Sequence, residues 1–244
     1  MNLADETFIR RLAQLNITLA ENQLNQLKEY YNVLVEQNQY MNLTAITEYE
    51  DVLLKHYVDC LAVYVVPEFV KLAAAGAKMI DVGTGAGFPG VPLKIAFPEL
   101  KVDLLDSLNK RIQFLNQVID ILGLSDINAY HGRAEDFAKL SNHREQYDLC
   151  VSRAVANLTT LSEYCLPFIK KGGYFIALKS GEIQEELNSS KKAINILGGS
   201  MIKVQHFVLP ESDIERSFVV IKKVQETPKK YPRKAGLPSK EPIK

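Results

Sequence analysis

Short apolar segments alternate with stretches of helical periodicity between residues 77 and 224, and this alternation restricts the fold more than any other feature of the chain. Predicted strands lie at 79–82, 101–107, 127–132, 147–152 and 172–181, and predicted helices lie at 108–122, 157–169 and 182–197. Strands separated by helices of about 10–15 residues are typical of a parallel, doubly wound sheet. The sequence therefore predicts an α/β domain with a mostly parallel sheet.

Two further patterns lie at the C-terminal end of this part and before its start. Strand patterns at 201–209 and 217–224 follow one another closely, so we expect a closing antiparallel hairpin. Apolar residues recur at helical spacing before residue 70, which predicts helices at 21–38 and 49–65. We divide the chain into an N-terminal helical extension (1–70), an α/β domain (71–224) and a Pro-rich C-terminal tail (225–244).

Charge is unevenly distributed although the chain has 29 basic and 29 acidic residues. Residues 1–76 carry ten acids and five bases, whereas the tail carries six bases and two acids. A basic tail commonly meets an anionic partner. The four prolines of the tail predict neither a helix nor a central strand there.

The stretch DVGTGAGFPG (81–90) has four glycines directly after a predicted strand and before a helical stretch. Glycine permits positive φ and close approach of a ligand to the backbone, and the following helix N-terminus offers free N–H groups. In a doubly wound sheet such a turn lies at the carboxyl edge, where ligands bind. The stretch therefore predicts a site for a nucleotide-like ligand.

Two ligand classes fit the glycine turn. From Gly85 it reads G-x-G-x-x-G, the dinucleotide pattern, and from Asp81 it reads D-x-G-x-G-x-G, which resembles the first motif of S-adenosylmethionine-dependent methyltransferases. Gly83 directly follows Val82 of the strand, which favours the second pattern. An acidic Asp81 suits a cationic sulfonium and would repel a pyrophosphate. The motif favours methyl transfer but leaves NAD open.

Downstream positions lie where a bound nucleoside would extend. Asp106 ends the second predicted strand, where a carboxylate can accept the ribose hydroxyls of either ligand. Ser107 or Asn109 is the expected N-cap of the following helix. The segment GRAED (132–136) follows the third strand, where methyltransferases usually contact adenine. Arg153 ends the fourth strand, at the edge where an acceptor substrate is expected.

Cysteine and histidine usage restricts the compartment and the chemistry. Three cysteines without a CxxC pair argue against a disulfide framework, and four scattered histidines lack metal-ligand spacing. Charged residues interrupt the apolar residues of the N-terminus, and the longest apolar run, LAVYVVP, is far shorter than a membrane span. We expect a soluble, cytoplasmic protein that binds neither a metal nor a membrane.

Motifs of two other methyltransferase chemistries are missing. The chain has no Asn-Pro-Pro-aromatic motif, which exocyclic-amine methyltransferases use, and no Pro-Cys pair after the fourth strand, which methylation at a pyrimidine carbon requires. Cys150 lies inside that strand and is expected in the core. A ring nitrogen with an in-plane lone pair, such as guanine N7, needs no base and no nucleophile of the protein.

Motifs spread over nearly the whole chain together resemble one family, the bacterial 16S ribosomal RNA guanine-N7 methyltransferases, also called glucose-inhibited division protein B. The matching segments are NLTAI (42–46), KHYVDCL (55–61), DVGTGAGFPGVPLKIAFP (81–98), LLDSLNKRIQFL (104–115), GRAED (132–136), SRAVANL (152–158), GGYFIALKSG (172–181) and KKYPRKAGLPSKEPI (229–243). The resemblance implies a Rossmann-like S-adenosylmethionine-dependent methyltransferase fold. It also implies transfer of a methyl group to N7 of one guanine in the decoding-region loop of 16S rRNA.

The resemblance also implies site residues, but no catalytic residue and no metal ligand. The cofactor-binding residues expected are Gly83, Gly85, Phe88, Asp106, Ala134, Glu135 and Arg153, of which Asp106 follows from the logic of the fold. From charge and position, the residues expected to contact RNA are His56, Lys179, Tyr231, Arg233 and Lys234, and a purely structural role is an equal alternative for His56. The implied partner is 16S rRNA or the small ribosomal subunit, and we expect a monomer.

Three other functions fit parts of the sequence. A methyltransferase of a small molecule or protein would keep its activity without residues 226–244. An NAD-dependent oxidoreductase would be stabilised by NAD and not by S-adenosylmethionine. An assembly factor without catalysis would bind RNA and transfer no methyl group.

Overall fold

A computed structural model describes residues 2–153 and 156–244, which contain a seven-stranded sheet in the order β3-β2-β1-β4-β5-β7-β6. The strands are β1 (Lys78–Val82), β2 (Lys101–Asp106), β3 (Ile127–His131), β4 (Tyr147–Arg153), β5 (Ile169–Ser180), β6 (Gly199–Val208) and β7 (Glu215–Lys223). Strands β1 to β5 pair in parallel, and β7 runs antiparallel to both β5 and β6. The mostly parallel α/β fold with a closing antiparallel hairpin is confirmed.

Helices cover both faces of the sheet. They are α1 (Leu3–Gln14), α2 (Glu21–Met41), α3 (Tyr49–Val52), α4 (Asp59–Leu61), α5 (Pro67–Ala74), α6 (Gly90–Ala96), α7 (Asn109–Ile121), α8 (Ala134–Phe137), α9 (Leu158–Cys165), α10 (Gln184–Ile196) and α11 (Leu237–Lys240). Because neighbouring residues of a strand point to opposite faces, Met79 of β1 belongs to the core cluster that includes residues of α1, α2 and α5 to α7, whereas Ile80 belongs to the cluster that includes residues of α9 and α10. The N-terminal helices thus share one hydrophobic core with the sheet.

Several predicted boundaries differ from the observed ones for local reasons. Helix α9 ends at Cys165 rather than at 169, and Pro167, which lacks an N–H group, lies in the short 3₁₀ turn that leads into β5. Helix α7 has Leu108 as its N-cap, so the prediction of Ser107 or Asn109 is wrong. Instead, the Asp106 carboxylate accepts the Leu108 N–H at 2.9 Å.

The predicted helix at 49–65 is continuous but irregular. Helices α3 and α4 are joined by a π-helical stretch, Leu53–Val58, and α4 continues into a 3₁₀ turn, Ala62–Val65. π-helical turns are rare and are found frequently at functional sites. This stretch lies against the carboxyl edge of the sheet through His56, as described below.

The C-terminal tail folds onto the α/β domain. The Arg144 guanidinium donates to the carbonyl oxygens of Thr227 and Tyr231, at 2.7 and 2.9 Å. Helix α11 contradicts the prediction that the tail forms no helix, because Pro238 sits in its first turn, where no N–H is required. The division of the chain at residues 70 and 225 stays a prediction.

Candidate active site

A cavity of about 600 Å³ opens at the carboxyl edge of the sheet, over the glycine turn between β1 and α6. This is the point where the strand order reverses, because β2 and β3 lie on one side of β1 and β4 on the other. The cavity is lined by Gly83, Gly85, Phe88, Asp106, Ala134, Glu135 and Arg153, among others. The structure therefore brings together all seven residues predicted to bind the cofactor.

The glycine turn has the backbone shape that its sequence predicts. Gly85 has φ of +63°, and a Cβ at this position would meet no atom within 4 Å. Open space above a positive-φ glycine is what close approach of a ligand requires. A volume of 600 Å³ also lies within the usual range for small-molecule sites, about 300–1,000 Å³. The site therefore fits S-adenosylmethionine.

Asp81 stabilises the glycine turn through hydrogen bonds, and it does not line the cavity. One of its oxygens, Oδ2, accepts from the Thr84 hydroxyl at 2.7 Å and from the Gly90 N–H at 2.8 Å. The other oxygen, Oδ1, is buried without a hydrogen-bond partner among the described residues. Burial raises the pKa of Asp81 to about 6, against the opposing effect of these two hydrogen bonds. The acidic Asp81 that favours a cationic ligand in the sequence therefore lies beneath the turn and not in the lining of the cavity.

Asp106 fixes the turn to the end of β2. Its carboxylate accepts the Gly85 N–H at 3.0 Å and the Leu108 N–H at 2.9 Å, and it pairs with Arg111 at 3.1 Å. A carboxylate with two oxygens has about four acceptor sites, so one remains for a ribose hydroxyl. Asp106 thus positions the turn, and its contact with ribose stays a prediction.

Replacing Asp106 with alanine should therefore affect both stability and cofactor binding. Two backbone N–H groups lose their partner, which should lower the free energy of unfolding by about 1–3 kcal/mol. Affinity for S-adenosylmethionine, measured by calorimetry, should fall at least about tenfold, the equivalent of one lost hydrogen bond. Asp120→Ala, which changes an exposed carboxylate on α7, is the control. Unchanged affinity in Asp106→Ala would remove Asp106 from the cofactor site.

The far end of the cavity is closed by α8 and by the tail. Glu135 is 4% exposed, and its Oε1 accepts the Gly236 N–H at 2.8 Å. Ser239 of the tail and Tyr164 of α9 also line the cavity. The tail is therefore part of the wall at the end where Ala134 and Glu135 are expected to hold adenosine.

The opposite end of the cavity is formed by a stack of three side chains. The His56 imidazole lies on the Phe88 ring with centroids 4.4 Å apart, and the Arg153 guanidinium lies 5.2 Å from the centre of the same ring. The π-helical stretch supports the stack, because the Lys55 carbonyl oxygen accepts from Arg153 Nη1 at 3.2 Å. On the other side Tyr30 of α2 packs against Phe88 and donates a hydrogen bond to the Ala86 carbonyl. The N-terminal helices thus support the glycine turn directly.

His56 is a neutral group in this setting. It is 7% exposed, its Nε2 lies 2.8 Å from the Thr44 hydroxyl, and its Nδ1 lies 3.2 Å from Arg153 Nη2. Burial, reinforced by the Arg153 charge, lowers the pKa of His56 from 6.5 to about 4. The prediction that His56 contacts RNA is untested, but at neutral pH its imidazole would not bring a positive charge.

A pH titration of stability should reveal this neutral histidine. The unfolded chain binds a proton at His56 near pH 6.5 and the folded chain only near pH 4. The contribution of His56 is therefore fully present above pH 6.5 and is lost as the pH falls towards 4. Compared with His56→Asn, the wild-type free energy of unfolding should lose about 3 kcal/mol more over this window. Urea denaturation at pH 7 and pH 4 measures the difference, and parallel curves for the two proteins would refute it.

A second cavity, of about 750 Å³, adjoins the first and shares His56, Arg153 and Ala156 with it. Its charged lining residues are Lys55, Asp59, Arg153, Lys179, Glu186 and Arg216. Asp59 pairs with Arg153 at 2.9 Å and with Arg216 at 2.6 Å. With four cations and two anions, the lining favours an anionic ligand such as a nucleotide.

The residues predicted to contact RNA lie in different surroundings in the structure. Lys179 lines the second cavity but donates to the Ala156 carbonyl at 2.7 Å and to Glu186 at 2.5 Å. The Tyr231 ring is 9% exposed within the core, and Arg233 pairs with the buried Glu163 at 2.7 Å. Lys234 is exposed. Contact of these residues with RNA remains a prediction, and the structure gives Tyr231 and Arg233 a role in anchoring the tail.

Sequence reasoning missed several residues of the site. Asp59 and Ser239 lie inside the segments KHYVDCL and KKYPRKAGLPSKEPI, so their presence in those segments was the available signal. Arg216 had no such signal. It reaches Asp59 because β7 inserts between β5 and β6, with Arg216 opposite Ser180 of β5.

Residues 2–153 and 156–244 show neither a cluster of metal ligands nor a membrane-spanning helix. They contain no group of three or more His, Cys, Asp or Glu side chains arranged to hold a metal ion. No helix within these ranges is long and apolar enough to cross a membrane.

Comparison with solved structures supports the fold. A protein studied for the conversion of a disulfide bond into a thioacetal group during echinomycin biosynthesis aligns with a TM-score of 0.50 at 15% identity. The alignment covers 65% of this chain and 82% of that protein. At this identity the similarity describes the fold alone.

Sequence comparison is far more specific. The family model GidB, described as rRNA small subunit methyltransferase G, matches residues 23–217. The Ribosomal RNA small subunit methyltransferase G of Alkaliphilus metalliredigens is 52% identical over 231 residues, which cover 95% of each chain. The protein of the same name from Desulforamulus reducens is 49% identical over 246 residues, covering 100% of both chains. The chain with this glycine turn and paired cavities therefore belongs to the GidB family of S-adenosylmethionine-dependent methyltransferases.

Proposed function

We propose that this enzyme transfers the methyl group of S-adenosylmethionine to N7 of a single guanine in the decoding-region loop of 16S rRNA. The observation that carries the proposal is the junction of the two cavities at His56 and Arg153, which both lie against Phe88 of the first cavity. One cavity suits a nucleoside with a cationic end, and the adjoining cationic cavity suits a nucleotide of RNA. A methyl group held at the junction would face an incoming base.

The reaction needs positioning more than acid or base chemistry. S-adenosylmethionine supplies an electrophilic methyl group on a sulfonium. The N7 lone pair forms the new N–C bond while the C–S bond breaks, and the bond pair stays on sulfur as a neutral thioether. The positive charge passes to the guanine ring, so no proton has to be removed before attack. Alignment of this kind lowers barriers by about 7–11 kcal/mol in intramolecular reactions.

The side chains at the junction suit this task. Phe88 and His56 present an apolar, neutral wall, because the pKa of His56 is lowered to about 4. Arg153 is held by Asp59 and the Lys55 carbonyl, so its guanidinium has a fixed position. The target base must leave its stack to enter the second cavity, as in other enzymes that modify bases. Charge on the phosphates supplies much of the RNA affinity.

We further infer that the enzyme acts in the cytoplasm as a monomer, on naked 16S rRNA or on the small ribosomal subunit, without a metal or a membrane. The exposed lysines of the tail, Lys229, Lys230 and Lys234, favour an RNA partner over a small molecule. They lie on the segment that also walls the cofactor cavity.

Transfer of tritium from labelled S-adenosylmethionine tests the proposal. Unmethylated small subunits, naked 16S rRNA and a ribosome-free extract are incubated with the enzyme in parallel. We expect label in RNA in at least one of the first two samples, and the faster one identifies the substrate form. Label confined to protein or small molecules of the extract would favour the alternative, a methyltransferase of those substrates.

A further inference from the structure

Asp59 lies in the second cavity and pairs with Arg153, one of the residues that both cavities share. It is 4% exposed and lines the second cavity. Its Oδ2 accepts from Arg153 Nη1 at 2.9 Å, and its Oδ1 accepts from Arg216 Nε at 2.6 Å. A third contact, from Arg216 Nη2 to Oδ2, is long at 3.4 Å. Each carboxylate oxygen has about two acceptor sites, so Oδ1 keeps one free, and Oδ2 gains one when a ligand displaces the long contact from Arg216.

The other acid of the cavity, Glu186 of α10, has different partners. Glu186 accepts from the Lys179 ammonium and from the backbone N–H of Leu158 through the same oxygen, Oε1. It therefore stabilises the start of α9 and neutralises Lys179. Within residues 2–153 and 156–244, the hydrogen bonds to the Asp59 carboxylate come from Arg153 of β4 and Arg216 of β7, and Asp59 lies next to the Arg153–Phe88 stack.

We propose that Asp59 selects guanine by accepting hydrogen bonds from N1–H and the 2-amino group of the target base. Among the four RNA bases only guanine presents two adjacent donors on its Watson–Crick edge, and the two oxygens of a carboxylate match them. Adenine would place the N1 lone pair against the carboxylate, which is repulsive. Flipped bases are generally identified through hydrogen bonds to this edge. The inference rests on the proposed function, since it specifies how that site identifies its base.

The carboxylate also favours the reaction after the base has bound. Methylation of N7 makes the guanine ring cationic and its N1–H more acidic, so the hydrogen bond to Asp59 strengthens as the methyl group is transferred. Charge-assisted hydrogen bonds are shorter and stronger than neutral ones. An interaction that is stronger in the transition state than in the ground state raises kcat. Asp59 therefore acts on kcat as well as on base choice.

The test combines a change in the protein with a change in the substrate. Two RNAs carry guanine or inosine at the target position and are otherwise identical; inosine keeps N7 and N1–H but lacks the 2-amino group. We expect the wild-type kcat/KM to be at least about tenfold higher for guanine, because a lost partner leaves Asp59 unsatisfied. In Asp59→Asn, whose amide cannot accept from both donors, this ratio should fall to about 1. Glu50→Gln, an exposed change in the same helical segment, should keep the wild-type ratio.

Each outcome decides the inference. Equal wild-type rates for guanine and inosine would overturn it without any variant. An Asp59→Asn enzyme that is slower on both RNAs but keeps the ratio would also overturn it, because Asp59 would then act only by holding Arg153 and Arg216. Thermal unfolding and S-adenosylmethionine affinity show whether Asp59→Asn is folded. A wild-type enzyme that methylates no RNA would instead refute the proposed function.

Discussion

Gly87→Ala is expected to destabilise the protein by about 2–5 kcal/mol, the combined cost of a left-handed backbone for alanine and of overpacking. Gly87 has φ of +100°, and an added Cβ would lie 2.7 Å from the Tyr30 hydroxyl and 2.7 Å from Val91 Cγ2. The turn must shift to relieve these contacts, so S-adenosylmethionine affinity should fall with stability. Urea denaturation and calorimetry measure the two effects.

Gly85→Ala is the matched control for this change. Gly85 has a similar positive φ of +63°, but a Cβ there meets nothing within 4 Å in the protein. The free protein should therefore lose only about 1–2 kcal/mol, the cost of the backbone conformation. The new methyl group projects into the open space over the turn, so cofactor affinity should fall more than stability does. Equal stability losses in the two variants would show that the contacts around Gly87 do not restrict the turn.

Arg233→Ala is expected to cost roughly 3 kcal/mol of stability, because it leaves a buried carboxylate without its cation. Glu163 is 1% exposed and accepts from Arg233 Nε and Nη2 at 3.0 and 2.7 Å. Without this pair the tail is held less firmly at Gly236, which donates a hydrogen bond to Glu135. It is also held less firmly at Ser239, which lines the cofactor cavity. S-adenosylmethionine affinity should therefore fall about tenfold, the equivalent of one hydrogen bond.

Lys229→Ala separates the two roles of the tail. Lys229 is exposed, so its removal should leave stability and cofactor affinity unchanged. If the tail contacts rRNA, this variant should lower RNA affinity and make it less sensitive to salt. Arg233→Ala with wild-type stability and cofactor binding would contradict an anchoring role for the Arg233–Glu163 pair.

The sequence predicted those parts of the site that follow from local patterns. Gly83 directly follows β1, Asp106 and Arg153 end β2 and β4, and the carboxyl ends of parallel strands meet at one edge of the sheet. Their convergence on one cavity therefore required only the correct order of strands and helices. Cys150, placed in the core from its position inside a strand, is fully buried.

Contacts between distant segments had no such signal. Asp59 and Arg216 are 157 positions apart, and their pairing depends on where α4, which begins at Asp59, lies relative to Arg216 of β7. The prediction that the tail forms no helix was wrong for a different reason. A basic, Pro-rich composition is the same in a free segment and in one that packs against the domain. Its docking depends on Glu163 and Arg144, which lie far away in sequence and carry no motif of their own.

The central claim is that the two cavities serve transfer of one methyl group to guanine N7. Its most direct test is to methylate small subunits or naked 16S rRNA with this enzyme and to map the product by strand cleavage specific for 7-methylguanine. We expect a single new cleavage site, at a guanine in the decoding-region loop, that appears only with S-adenosylmethionine. Methylated RNA without such cleavage, or cleavage at many guanines, would contradict it.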